Sequence, residues 1–159
     1  MKRGNPQQES SAVLPEQGHD LAPYPNLPCG AVLIVDDEML VRRGVCRMLT
    51  ECSSVESAAS AEQAFLVLGE TSFHAVVTDF QMTEQDGFWL LEKVRHLQPS
   101  ARRVLMSSLQ PPGLDDHQLS GLVQRFLAKP FSPTDLLSAL EHEDSSIIEP
   151  GESDLAASV

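Results

Sequence analysis

The sequence predicts an α/β domain in which helices cover both faces of a parallel five-stranded sheet. Short apolar runs alternate with helical apolar patterns over residues 30–144. The first run, AVLIV at 31–35, is apolar without interruption, as expected for a strand that is buried on both faces. Strict alternation of strands and helices predicts a parallel sheet, in which each helix returns the chain by a right-handed crossover. The sheet is therefore expected to be doubly wound.

The strands are predicted at five short runs. These runs are 31–35, 54–58, 75–78, 103–107 and 125–128. The run SVESA at 54–58 is the weakest strand pattern of the set, because it is the most polar.

Apolar residues at helical spacing predict the first two helices. The apolar side of the first helix consists of Val41, Val45, Met48 and Leu49. The second helix opens with Ser60, followed three residues later by Gln63, which resembles a capping box. Its apolar residues are Phe65, Leu66 and Leu68.

Three further helices are predicted in the second half of the domain. The third ends before Pro99, and the poorly patterned segment 114–123 predicts a short fourth helix. The last helix has Ser132 as its N-cap and Pro133 in its first turn, where Asp135 favours the helix dipole. The apolar residues of the third helix are Phe88, Leu91 and Val94, and those of the last are Leu136, Leu137 and Leu140.

Composition predicts two tails and argues against several classes of binding partner. Residues 1–29 are rich in proline and polar residues and predict a disordered tail, and residues 145–159 predict a second, shorter tail. The net charge of −12 argues against nucleic-acid and anionic membrane partners. No apolar run has the length needed to span a bilayer. The cysteines, Cys29, Cys46 and Cys52, lack metal-site spacing and predict reduced thiols in a cytoplasm.

Polar residues stand where four of the predicted strands end. They are Asp36, Asp37, Glu38, Asp79, Ser107, Ser108 and Lys129. The carboxyl ends of parallel strands meet at one edge of the sheet, where such folds bind their ligands. Clustered carboxylates suit a hard cation such as Mg²⁺, and a neighbouring lysine suits a phosphate group. One of the carboxylates could act as a nucleophile and form an aspartyl phosphate.

Each of these residues also has a plainer interpretation when it is taken alone. Asp36 or Asp37 could cap the first helix. Ser107 could be a strand-end hydroxyl and Lys129 a solvated charge. Phe126, an aromatic residue within the fifth predicted strand, could be a core residue. The combination of these residues at successive strand ends, together with Asp79, favours a functional site.

Four blocks of the chain, VLIVDDE, VVTDFQMTEQDGF, VLMSS and FLAKPF, stand in the order and spacing of a known family. Residues 30–142 resemble the receiver domain of bacterial two-component response regulators. The resemblance implies a flavodoxin-like fold with strand order 2-1-3-4-5 and phosphorylation of Asp79. It also implies a Mg²⁺ site formed by Asp36, Asp37, Asp79 and the backbone carbonyl of Gln81.

The resemblance assigns roles to three further residues. Ser107 matches the hydroxyl that responds to phosphorylation, Lys129 the lysine of the site and Phe126 the aromatic switch position. The implied function is that of a stand-alone response regulator in a phosphorelay, a signalling domain and not an enzyme beyond its own phosphotransfer and slow self-dephosphorylation. Its expected partners are a sensor histidine kinase or phosphotransfer protein and a downstream protein target, and the resemblance is compatible with a homodimer.

Two departures from the family pattern stand out. Met82 and Thr83 occupy the place of the usual Met-Pro pair, and the segment 109–123 differs from a typical fourth helix. Two alternative functions are also compatible with parts of this pattern. A degenerate receiver would act as an interaction module without phosphorylation. A phosphatase of the haloacid dehalogenase type would need a second acid two residues after Asp79, where this chain has Gln81.

Overall fold

The computed structural model of the protein describes residues 30–50, 52 and 54–141, so both predicted tails lie outside the described residues. The strands in this part are β1 (Ala31–Val35), β2 (Ser54–Ala58), β3 (Ala75–Asp79), β4 (Arg102–Ser107) and β5 (Arg125–Ala128). The helices are α1 (Met39–Met48), α2 (Ala61–Glu70), α3 (Gly87–Leu97), α4 (Leu114–Leu119) and α5 (Pro133–Leu140). All ten elements lie where the sequence predicts them, but β3 and β4 are each one residue longer than predicted, and α4 ends at Leu119, four residues before the end of the predicted segment.

The strands form one parallel sheet of order β2-β1-β3-β4-β5, which confirms the predicted fold class and strand order. Alternate side chains of β1 enter separate cores. Val32 and Ile34 pack with α1 and α5, whereas Leu33 and Val35 pack with α2 and α3. This two-sided burial explains why the run is apolar at every position. No helix in the described ranges has both the length and the apolar character that crossing a membrane requires.

Polar side chains cap the N-termini of α5 and α2. Ser132 and Asp135 form a complete capping box at α5. At α2 the Ser60 hydroxyl accepts from the Gln63 amide at 3.1 Å, but the Gln63 side chain accepts from the amide of Ala59 at 2.8 Å. The predicted capping box is therefore half formed, with its reciprocal bond made one residue before the N-cap.

The buried face of α2 differs from the apolar side that the sequence predicts. The buried face of α2 is formed by small residues and one leucine, namely Ala61, Ala64 and Leu68. Leu66, predicted as part of the apolar side, is 69% exposed, because the helix turns it away from the sheet. His74 and His117 are half buried, and the ring centroid of His117 lies 4.0 Å from that of Phe88, with the two rings tilted.

Arg103 links two connecting segments at the amino-terminal edge of the sheet, the one between α3 and β4 and the one between α4 and β5. Its buried guanidinium group donates to four backbone carbonyls at 3.0 to 3.3 Å, which belong to Pro99, Ala101, Gly121 and Leu122. Burial, with the charges of neighbouring arginines, lowers the pKa of Arg103 below its usual value. The carbonyls satisfy the donors of a cation that is costly to bury otherwise.

Candidate functional site

The carboxyl edge of the sheet collects three aspartates. Because β1 pairs with β3, the residues after Val35 come beside Asp79. Asp36 is 1% exposed and Asp79 is 7% exposed, while Asp37 is exposed to solvent. One carboxylate oxygen from each residue lies within 4.8 Å of the others. The structure thus brings together the three side chains that the sequence predicts as metal ligands.

Lys129 bridges two of these aspartates. Its Nζ atom donates to Asp36 Oδ2 and to Asp79 Oδ1, both at 2.8 Å. Burial raises the pKa of Asp79 above its usual value, although the hydrogen bond and charge of Lys129 oppose this effect. Burial also acts to lower the pKa of Lys129, but the two carboxylates outweigh it and raise that pKa. Lys129 is therefore a cation at neutral pH, held by the acids rather than solvated.

Asp36 is fixed by local hydrogen bonds as well. Its Oδ1 atom accepts from the amide of Glu38 at 2.8 Å, and its backbone carbonyl accepts from Arg42 Nη1 at 2.7 Å. The N-cap of α1 is Glu38, which makes no side-chain cap hydrogen bond. The alternative in which Asp36 or Asp37 serves as the helix cap does not describe this structure.

Gly87 lets the loop after β3 return closely to the strand that carries Asp79. Its amide donates to the carbonyl of Phe80 at 2.9 Å, and Asp86 caps α3 by accepting from the Trp89 amide at 2.9 Å. A Cβ atom on Gly87 would lie 2.5 Å from the backbone oxygen of Asp79. The absence of a side chain at this position is therefore required for the observed placement of Asp79.

The three remaining residues predicted for the site differ in their surroundings. Ser107 is buried at the end of β4, and its hydroxyl accepts from the amide of Leu109 at 3.4 Å. Gln81 is exposed in the loop after β3. Phe126 is half buried against the core cluster under α4, so it has the packing expected of a core residue. Its role as a switch stays a prediction.

Two contacts in the site were not predicted from the sequence. They are the bond from Arg42 to the Asp36 carbonyl and a bond from the Thr83 hydroxyl to Asp37 Oδ2 at 3.2 Å. Thr83 stood out in the sequence as a departure in the loop after β3. The sequence shows a polar side chain, Thr83, in the loop after β3. Its partner, Asp37, depends on which loops the fold brings together.

The donor set fits a hard divalent cation. All three side chains offer carboxylate oxygens, which Mg²⁺ prefers to nitrogen and sulfur. The cluster carries three formal negative charges against the one positive charge of Lys129. A divalent ion would offset the remaining charge and use oxygens that Lys129 does not occupy.

The fold and this edge of the sheet define a CheY-like α/β domain. The family described as "response regulator receiver domain" matches residues 32–141. The chain belongs to this receiver domain family of two-component signalling.

Relatives and solved structures agree with that assignment. The probable chemotaxis protein CheY of Rhizobium etli is 32% identical over 120 residues, which cover 69% of this chain and 88% of that protein. The hydrogenase transcriptional regulatory protein HoxA of Bradyrhizobium diazoefficiens is 27% identical, and the match covers 70% of this chain but 23% of HoxA. A CheY-like receiver domain protein from Methanospirillum hungatei superimposes with a TM-score of 0.64 at 26% identity, covering 68% of this chain and 87% of that one.

Proposed function

We propose that the domain accepts a phosphoryl group on Asp79 from a phosphohistidine of a partner protein. The observation that carries this proposal is the lysine bridge, in which Lys129 Nζ lies 2.8 Å from both Asp36 and Asp79 beside an exposed third acid. A buried carboxylate with a raised pKa and a fixed ammonium group next to it is suited to attack an anionic phosphorus centre.

In the proposed step an oxygen of Asp79 forms a bond to phosphorus while the bond from phosphorus to the imidazole nitrogen of the donor breaks. The electron pair of that bond stays on the imidazole. Lys129 offsets the charge on the phosphoryl oxygens, and Asp36 and Asp37 would hold a divalent cation. Bound Mg²⁺ would supply further charge neutralisation and orientation. The chain contributes position and charge, and no other covalent step.

The signal to a partner protein would arise from the new charge at Asp79. A phosphoryl group adds nearly two negative charges and three acceptor oxygens. The Ser107 hydroxyl, which has a weak 3.4 Å bond in this state, would turn to donate to it, and Phe126 would follow into the vacated space. The altered surface would then be recognised by a downstream protein or a second copy of the chain, in the cytoplasm.

The phosphatase alternative is disfavoured by the position two residues after Asp79. Gln81 occupies it with an exposed amide, which cannot protonate a leaving group. The degenerate receiver is disfavoured by the complete acidic cluster. Incubation with acetyl phosphate and MgCl₂ separates these functions. Stable label on the protein supports the receiver, continuous phosphate release indicates the phosphatase, and no label indicates the degenerate module.

Removal of the Asp37 carboxylate is expected to weaken Mg²⁺ binding. Asp37→Asn removes one negative charge from the cluster, so the dissociation constant should rise by about tenfold or more, or ~1.4 kcal/mol. Isothermal titration calorimetry with MgCl₂ measures this change. Glu70→Gln is the matched control, because it removes one charge at the last residue of α2, toward the opposite edge of the sheet. Equal affinity of Asp37→Asn and the wild type would exclude Asp37 as a ligand.

The phosphorylated protein is expected to lose its phosphoryl group slowly when no partner is present. Hydrolysis needs a water in line with the acyl phosphate, and the side chains expected near that path are Gln81 and Leu109, which cannot take a proton. Decay of labelled protein in MgCl₂ gives the rate. Leu109→Glu should accelerate decay severalfold by supplying a base, whereas Leu119→Glu should not. Both leucines are exposed, at 76% and 88%. Fast decay that Leu109→Glu leaves unchanged would show that the water-path argument is wrong.

A further inference from the structure

The three aspartates of the cluster differ in how they are held. Asp36 and Asp79 are buried and both accept from Lys129 at 2.8 Å. Asp37 is exposed, and among the described residues its carboxylate is hydrogen-bonded by Thr83, whose hydroxyl donates to Oδ2 at 3.2 Å. One of the three carboxylates is thus positioned by a single hydroxyl from a neighbouring loop.

An exposed carboxylate on its own can rotate in solvent, and a cation that uses it must first select one orientation. A hydrogen bond from a neighbouring group reduces that selection, because it favours one orientation before the metal arrives. A carboxylate has about four lone-pair sites, so the bond to Thr83 leaves sites on both oxygens for a cation. The hydroxyl is therefore compatible with metal binding and does not replace a ligand.

The loop geometry explains why Thr83 reaches this position. Thr83 follows Asp79 by four residues, and the loop is closed by the bond between the Gly87 amide and the Phe80 carbonyl at 2.9 Å. The β1–β3 pairing places this loop beside the one that begins at Asp36. The same closure that fixes Asp79 thus presents the hydroxyl to Asp37.

We infer that Thr83 is a positioning residue for the metal site, whose hydroxyl holds the Asp37 carboxylate in the orientation that ligates Mg²⁺. This inference rests on the proposed function of the acidic cluster. Thr83 acts through Asp37 and does not contact the reacting atoms.

The test is titration of the full chain with MgCl₂, followed by calorimetry and by the fluorescence of Trp89. Thr83→Val keeps the shape of the side chain and removes its donor, so the dissociation constant for Mg²⁺ should rise by about three- to tenfold. Thr83→Ser keeps the hydroxyl and should remain within about twofold of the wild type. Both variants should melt like the wild type without Mg²⁺, because the bond lies at an exposed position.

The outcomes separate the inference from the function on which it rests. If Thr83→Val binds Mg²⁺ as well as the wild type, or more tightly, while Asp37→Asn binds it weakly, Thr83 does not position the site and the metal site stands. If the wild type and Asp37→Asn do not differ, Asp37 is not a ligand of the metal and the inference is overturned with it. Equal weakening in Thr83→Ser and Thr83→Val would show that the hydroxyl is not the group responsible.

Discussion

Asp79→Asn is expected to abolish phosphorylation while the domain stays folded. The amide is nearly isosteric with the carboxylate and its oxygen can still accept from Lys129, which donates to Asp79 Oδ1 at 2.8 Å. The amide oxygen is a poor nucleophile, so no stable acyl phosphate should form. Label from acetyl phosphate in the presence of MgCl₂ should fall to the background level, and circular dichroism should report an unchanged fold.

Asp115→Asn is the matched control, because it makes the same change at an exposed acid in the first turn of α4. It should be labelled like the wild type. Stable incorporation of label into Asp79→Asn would show that Asp79 is not the phosphoacceptor. Loss of labelling in both variants would mean that the reaction responds to the overall charge and not to Asp79.

Gly87→Ala is expected to destabilise the domain and displace Asp79. A Cβ at this position would lie 2.5 Å from the Asp79 backbone oxygen, 2.6 Å from Leu105 Cδ1 and 3.1 Å from Phe80 Cα. Two of these three atoms belong to backbone, which cannot move aside as a flexible side chain can. Overpacking of this kind destabilises by about 1–3 kcal/mol, and we expect the upper end of that range. Urea unfolding measures the loss, and the labelling rate with acetyl phosphate should fall with it.

Gly69→Ala separates this effect from the general consequence of replacing a helical glycine. A Cβ at Gly69 of α2 meets nothing within 4 Å. Since alanine is the better helix former, this variant should be neutral or more stable by about 0.5–1 kcal/mol. If Gly87→Ala behaved in the same way, the close return of the loop to β3 would not constrain the site.

The sequence predicts those parts of the structure that follow from repeating local patterns. The apolar run of β1, the capping residue Ser132 and the alternation of elements are local, so they predict the fold class. The convergence of Asp36 and Asp79 is not local, but it follows from one rule, because parallel strands carry their carboxyl ends to a common edge.

The remaining features depend on distances that no local pattern encodes. The bond from Thr83 to Asp37 needs two loops whose separation is set by the strand order. The exposure of Leu66 depends on how α2 is rotated against α3, since its apolar residues extend around more than one side. The four carbonyl partners of Arg103 come from two separate connections, so the composition of β4 could not predict them.

That arrangement around Arg103 gives α4 one anchored end. The carbonyls of Gly121 and Leu122, just after the helix, are held by the guanidinium group, and the backbone of Arg103 exchanges hydrogen bonds with Gln124. The other end begins after the exposed N-cap Gly113, and Leu114, the first residue of the helix, is buried. The two ends of α4 are therefore held differently, one by hydrogen bonds to a buried cation and the other by the apolar packing of Leu114. Phe80, which follows Asp79 in the chain, packs in the same cluster as Leu114, so a charge added to Asp79 is expected to reach α4 through this apolar end.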